Sequence, residues 1–409
     1  MDKIVFKKQN RDTLTPNGGM PLSLVVLLSV VAAFMAANIY YNQPLLDVIR
    51  QEMRVNELQA SFVTVIAQIG YALGLLFIIP LGDKVSRRSL TMGCMFIALL
   101  MSLVMAVGTN IETLWVASFF IGLCSIVPQL FMPVAGQYST PATKSRNMGY
   151  ILTGLLTGIL ASRVLGGIVG EHFGWRMMYH INVIIMFFCL IAMLRFLPVM
   201  APNFKGSYRQ LMGSVVDIFI HHPRIRMNSM RAGLGFGSMM SVWSCMAFHL
   251  AGAPFNANSE TVGLLGMCGV AGALASMNIG KYIPRFGVNR FSGAGAVLQL
   301  IAWASIIIFG NTYVGLIVGI ILLDIGLQCQ QLSNQGACMS ELPQAANRVN
   351  TIFMTTYFVF GALGTMLSSA GWKMWGWNGV GLCGLVFALL SLIIVISKFS
   401  CNIFKKNNI

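Results

Sequence analysis

Two ionised side chains stand deep within apolar stretches: Arg163 in the run 147–171 and Asp324 in the run 313–339. A charge near the middle of a bilayer costs about 3 kcal/mol even on the most lenient insertion scale, so each is a candidate for function by default. A carboxylate facing a guanidinium can do proton chemistry. Burial and a nearby cation act on it in opposite senses, so a change in their separation switches its proton affinity. A permanent, purely structural pair and two charges that make no contact are the competing readings. Around Asp324 the polar residues Gln328, Gln331 and Gln335 follow in steps of four, three and four, which places all four side chains on one helix face. Asn38, Tyr41 and Asn42 form a similar face, and Gln129 and Trp243 each sit in the middle of an apolar run. Amides interleaved with aromatics suit a neutral or mildly amphipathic small ligand. The same amides can instead bond neighbouring helices.

Other chemistries are missing from the sequence. There is no G-x-x-x-x-G-K-[ST] loop to cradle a nucleotide phosphate. No C-x-x-C pair occurs, and eight of the nine cysteines fall in apolar stretches, where a thiol behaves as a small hydrophobe. His172, His180, His221, His222 and His249 lack metal-ligand spacing. Neither a metal nor a cofactor is expected, and no clustered nucleophile and base suggests an enzyme.

The elements that must hold these residues follow from composition. Of 409 residues 56% are apolar and only 10% charged. A soluble domain carries about 25% charged residues and needs them to cover its surface. The chain is therefore an integral membrane protein, which excludes a soluble enzyme, a disordered chain and a disulfide scaffold. A helix needs about 20 apolar residues to cross a bilayer. The qualifying segments are 22–46, 60–81, 89–109, 113–137, 147–171, 177–197, 227–251, 259–281, 291–310, 313–339, 348–370 and 376–398. The expected fold is all-α, with twelve transmembrane helices. The longest polar stretch, 198–226, reads as a basic linker on the membrane surface.

Lysine and arginine collect in cytoplasmic loops. With the N-terminus inside, both termini and the even-numbered loops are cytoplasmic. The outer loops then hold only Arg50, Arg54, Arg176 and Lys373 of the 27 basic residues, and Arg163 lies within a span. The net charge of +15 thus faces anionic lipid headgroups, and no nucleic-acid partner is needed to explain it.

The chain repeats itself. Pro141 and Arg146 recur as Pro343 and Arg348, Gly174-Trp175 as Gly376-Trp377, and Arg88 as Arg290, all at one offset. Two like-oriented six-helix halves follow: a tail 1–21, a bundle 22–197, the linker 198–226, a bundle 227–398 and a tail 399–409. Halves of this kind rock about a central seam and open a cavity to alternate sides. The seam needs small residues at every fourth position. Gly154, Gly158, Ser162, Gly166 and Gly170 supply such a stripe and are expected to line it. Arg163 and Asp324 lie at depths differing by roughly 3 Å at about 1.5 Å per residue, close enough to pair across it.

The loop Pro80-Leu81-Gly82-Asp83-Lys84-Val85-Ser86-Arg87-Arg88 resembles the signature loop of the major facilitator superfamily, although Ile79 and Ser86 stand where its two glycines usually are. The resemblance implies a cytoplasmic latch in which Asp83, Arg87 and Arg88 pair with helix ends; Arg146 and Arg348 are assigned to the same latch. It also implies that the first, fourth, seventh and tenth spans surround the substrate. Tyr40-Tyr41-Asn42-Gln43-Pro44, Pro128-Gln129 with Pro133, and Asn334-Gln335 are similar to the bacterial efflux-permease branch, whose members export drugs, sugars or metabolites, usually driven by protons. Two positions depart from it. Ser118 stands where some proton-coupled exporters carry Arg, and Arg163 stands where the exporter motif of the fifth span has Pro.

The expectation is a secondary transporter in the inner (plasma) membrane, monomeric, exporting a small organic molecule in exchange for protons. Uptake by symport is the alternative. A receptor of transporter shape that binds without moving its ligand is a third reading.

Overall fold

The computed structural model describes residues 14–200 and 206–406. Lys3, Lys7, Lys8, Arg11 and Lys205 lie outside the described residues. The described chain is helical: α1 Leu22–Ala37, α2 Leu46–Met53, α3 Glu57–Leu73, α4 Ile79–Lys84, α5 Arg87–Val107, α6 Ile111–Cys124, α7 Val127–Tyr138, α8 Lys144–Phe173, α9 Trp175–Phe196, α10 Tyr208–His221, α11 Pro223–Ala251, α12 Ser259–Leu265, α13 Gly269–Phe286, α14 Val288–Phe309, α15 Tyr313–Glu341 and α16 Ala346–Lys406. Ten helical runs among the described residues are long and apolar enough to cross a membrane, and α1 is a shorter apolar helix.

Several expected spans are broken helices. The first stops at Ala37 and resumes through a 3-10 turn, Gln43–Leu45, into α2. Pro44 has no N–H to continue the helical ladder. A wider π turn, Gly74–Ile78, joins α3 to α4, and a 3-10 turn, Gly266–Cys268, joins α12 to α13. The last run is one helical path interrupted by non-helical backbone at Trp375 and Gly376. Gly174 and Gly376, the two repeat-related loop glycines, both have positive φ, at 83° and 56°. A side chain there would be strained, which explains why the turn is glycine in both halves.

The linker 198–226 is not simply polar chain. Ser207 and Gln210 form a reciprocal capping box that starts α10, and Leu211, Val215 and Ile218 form its buried face. The Tyr208 hydroxyl donates to the Phe77 carbonyl at 2.8 Å, which ties this helix to the turn before α4. Partial burial pushes that hydroxyl above its usual pKa, so it stays protonated and donating. Helix α11 begins at Pro223, inside the expected linker.

Packing repeats with the sequence. Helix α1 packs on α8, α3 on α6 and α5 on α9; in the second half α11 packs on α16, α13 on α15 and α14 on α16. Glycine sets these distances. Gly154 and Gly158 lie against the backbone carbonyls of Ser29 and Ala33. Gly364 lies in the same way against Gly237. The stripe from Gly154 to Gly170 therefore meets α1 and the turn after it, in its own half, rather than chiefly the seam. The seam contact comes from Gly167, one residue off the stripe, where an added Cβ would sit 2.5 Å from the Ser259 carbonyl. Gly170, beside Leu45, also comes near the Ser259 hydroxyl.

Candidate functional site

Arg163 and Asp324 both face the junction of the halves, and both are buried. The broken helix α12–α13 positions them. An added Cβ on Gly266 would lie 2.8 Å from the Arg163 Cβ, and one on Gly269 would lie 3.4 Å from Asp324 Oδ2. Gly263 and Gly272 extend the same row at every third residue, the first against the Arg163 carbonyl and the second against the Asp324 Cβ. A side chain at any of the four would push one charged helix away.

The two charges interact electrostatically. No ion pair joins them among the described residues. Arg163 donates from Nε to Gln43 Oε1 at 2.8 Å. Its guanidinium carbon lies 4.1 Å from the Trp243 ring centre and 5.4 Å from that of Tyr40. A cation over an indole face is held by the ring quadrupole, by about 2 kcal/mol when water is excluded. Asp324 Oδ2 is buried without a hydrogen-bond partner, and so is Trp243 Nε1. Such atoms are rare in folded proteins and mark places where something else belongs.

The other expected cavity residues divide. Asn38 is buried with both amide atoms unpartnered. Asn42 accepts from Thr64 Oγ1 at 3.1 Å, and Tyr41 is enclosed in the core. Gln129 is half-buried. Gln331 accepts from the Tyr357 hydroxyl at 3.1 Å, and Gln335 donates to Asn350 at 2.8 Å, so both fix α15 on α16. Gln328 is half-buried.

Sequence reasoning passed over the residues that join the halves here. Gln68 accepts from Thr365 Oγ1 at 3.1 Å and donates toward the Met240 sulfur, 3.3 Å away. Tyr71 packs across the junction on Phe358 with ring centres 4.2 Å apart, and within the second half Tyr357 stacks on Phe236 at 4.1 Å. Tyr40 and Gln43, which meet Arg163, stand in the stretch that resembles the efflux-permease branch, beside the expected Tyr41 and Asn42.

Arg231 is a further buried charge. It lies near the start of the expected span 227–251, where it counts with the basic cytoplasmic end, but it is fully enclosed, donating to Asn289 Oδ1 at 2.8 Å and to the Ile394 carbonyl at 3.2 Å. Beside it a buried network runs from Ser391 to Gln330 and Gln299, at 2.7 and 2.9 Å. These bonds all lie inside the second half, and they leave Arg231 Nε without a partner.

The two ends of the molecule differ. At the end with few basic residues the halves are bonded together. Glu171 Oε2 accepts from the Ser259 hydroxyl at 3.1 Å and from its N–H at 3.2 Å, and that hydroxyl also reaches the Gly167 carbonyl at 3.2 Å. His172 pairs with Glu260 at 3.5 Å. At the basic end the expected latch residues stay within their own half. Arg87 pairs with Asp83 at 3.0 Å and donates to Gln137 at 3.1 Å, and Arg88 donates to the Leu194 carbonyl at 2.7 Å. Arg146 is exposed. Arg348 faces Asp83 across a cavity of about 280 Å³ that also touches Leu211 of α10.

Residues 27–365 match the family model described as Major Facilitator Superfamily. The chain is 35% identical over 380 residues to the "Uncharacterized transporter YgaY" of Escherichia coli O157:H7, covering 93% of this chain and 96% of that one. It is 24% identical to the "Inner membrane transport protein YnfM" of Escherichia coli, over 93% of this chain and 90% of the other. Among solved structures, the nucleoside transporter NupG shares the fold at a TM-score of 0.71, with 14% identity over 93% of this chain and 99% of that one. A bacterial homolog of the human lysosomal transporter Spinster, inward-facing and occupied, shares it at 0.73, with 13% identity over 93% and 96%.

Proposed function

The chain belongs to the major facilitator superfamily and is a membrane transporter without enzymatic activity; from that premise we propose that it exports a small organic molecule by alternating access in exchange for protons. Twelve spans in two halves, 22–197 and 227–398, with both termini in the cytoplasm, fit the ten long helices, the short α1 and the break at Trp375–Gly376. The basic end is then cytoplasmic, and the relative named as an inner membrane transport protein supports that membrane as the location. In this orientation the Glu171–Ser259 bonds seal the outside.

One observation carries the reading. Two opposite charges, one from each half, are buried at the junction, close enough to feel each other and yet unpaired. A permanent structural pair would be in contact, because an unpaired buried charge costs several kcal/mol. A pair that forms and breaks as the halves rock gives Asp324 two proton affinities, which is what coupling requires. Asn38, Tyr41, Asn42, Gln129, Trp243, Gln328, Gln331 and Gln335 are assigned to the substrate region around it. Gln331 and Gln335 hold its wall, and Trp243 and Asn38 have free polar atoms to offer. Asp83, Arg87, Arg88, Arg146 and Arg348 are assigned to a cytoplasmic latch that closes when the outside opens.

Uptake by proton symport is the second reading. It is favoured by Arg163 and Ser118 standing where exporter motifs carry Pro and Arg. Inside-out vesicles carrying the full chain with an acidic lumen, and right-side-out vesicles with an acidic exterior, each given a mixed substrate panel, decide between them. Gradient-dependent accumulation supports export, accumulation only in right-side-out vesicles supports symport, and inertness in both orientations overturns transport.

A further inference from the structure

We propose that the site between the halves takes a small zwitterion of the α-amino-acid type, its carboxylate on Arg163 and its ammonium on Asp324. This rests on the transport reading and deepens it by naming the class of substrate.

The argument starts from what each charge lacks. Arg163 uses Nε to hold Gln43 and one face of its guanidinium to meet Trp243. Neither interaction uses the fork of the two terminal nitrogens, and no hydrogen bond from them is present among the described residues. That fork matches a carboxylate in bidentate fashion, the geometry in which arginine binds most strongly. Across from it, Asp324 Oδ2 has no donor, although the residue is more than nine-tenths buried. A carboxylate in that position calls for a cationic donor. Arg163 itself would satisfy it, but Gln43 and Trp243 hold the guanidinium elsewhere.

The two side chains are offset along the fold. The stem of Arg163 rests on Gly266 and the carboxylate of Asp324 lies by Gly269, about one turn further along the same segment, roughly 5 Å along its axis. No ion pair bridges that offset among the described residues, and a molecule that carries a carboxylate and an ammonium on one carbon can answer both charges at once. A ligand of single charge would satisfy one partner and leave the other buried and bare. A neutral ligand would leave both. Trp243 Nε1, buried and unpartnered beside Arg163, supplies a further donor for the ligand carboxylate. Tyr40, beside the Arg163 guanidinium, and Tyr71 and Tyr357, which both pack on Phe358, give the remainder of the ligand an aromatic surround. The ammonium and a proton then compete for the same carboxylate. Binding one releases the other, so exchange follows from the site itself.

The test compares three forms of one molecule. The purified full chain is titrated with L-leucine and L-phenylalanine, with their methyl esters, which lack the negative charge, and with their N-acetyl forms, which lack the positive one. Thermal stabilisation in detergent is the readout. The expected result is that the free amino acids bind at least about tenfold more tightly than either capped series. Arg163→Gln should erase the preference over the ester, and Asp324→Asn the preference over the N-acetyl form. If these variants fail to fold, the wild-type comparison alone decides. Equal binding of capped and free forms, or no stabilisation by any of them, overturns the zwitterion. Gradient-driven flux of any other compound in vesicles carrying the same chain would leave the transport reading standing while this inference falls.

Discussion

The two halves are built to one plan and differ at the positions that carry the chemistry. In the first half Gly122 of α6 packs directly on the Ala67 carbonyl of α3. The residues at the same offset in the second half are Asp324 of α15 and Gly269 of α13. The small residue has moved to the other helix, and the space it leaves admits a carboxylate. Arg163 of α8 corresponds in the same way to Thr365 of α16. Both reach across the junction, Arg163 over Trp243 and Thr365 to Gln68. Duplication supplies matched positions close to the seam, and each half has placed a charge where its counterpart kept a small or neutral residue.

Breaking the plan itself should have the largest effect. Gly158→Leu puts a side chain into the Ala33 backbone, where only the far end of a flexible neighbour could yield cheaply. Such overpacking costs about 3 kcal/mol or more, so the protein should fail to accumulate in the membrane. Gly149→Ala, on the same helix with nothing nearby, should leave expression and melting temperature unchanged. Removing the asymmetry comes next. Asp324→Asn should abolish gradient-driven movement, a loss of about a hundredfold or more, while the protein still inserts and resists protease as the wild type does. Normal gradient-driven flux in that variant would end the coupling role of the charge pair. Weakening the closed end is a smaller step. Glu171→Gln loses the ionic character of two hydrogen bonds, about 1–2 kcal/mol. It should raise the outward-open population roughly tenfold, read as faster labelling of a cysteine placed near Ser162. Thr365→Val is smallest. One neutral bond, about 1 kcal/mol, should lower melting by a few degrees without changing the dependence on a gradient.

The sequence displays some of this and hides the rest for physical reasons. Arg163 and Asp324 stand out because an apolar run has no background of charge against which to lose them. The repeat stands out because loop residues at one offset need no knowledge of packing. The glycine stripe of α8 marks a close-packed face, but periodicity identifies a face and not its partner, which proved to be α1. Ser259 and Glu171 are 88 residues apart and meet only because of how the halves dock, a relation no local pattern carries. Arg231 sits at a span edge, where hydropathy gives no sharp boundary, so a buried cation looked like a loop cation. Helix α10 was legible in part. Its S-x-x-Q cap, Ser207 to Gln210, lies in plain sight, hidden only by the basic composition around it.

The central claim is that the halves rock so that one end opens as the other closes. Spin labels at His172 and Glu260 report the sealed end, and labels at Ser145 and Arg285 report the basic end, each pair in a cysteine-free background reconstituted in lipid. As pH or ligand is changed, the account expects the two distances to move in opposite senses, the first lengthening where the second shortens. Distances that stay fixed, or that lengthen and shorten together, would contradict it.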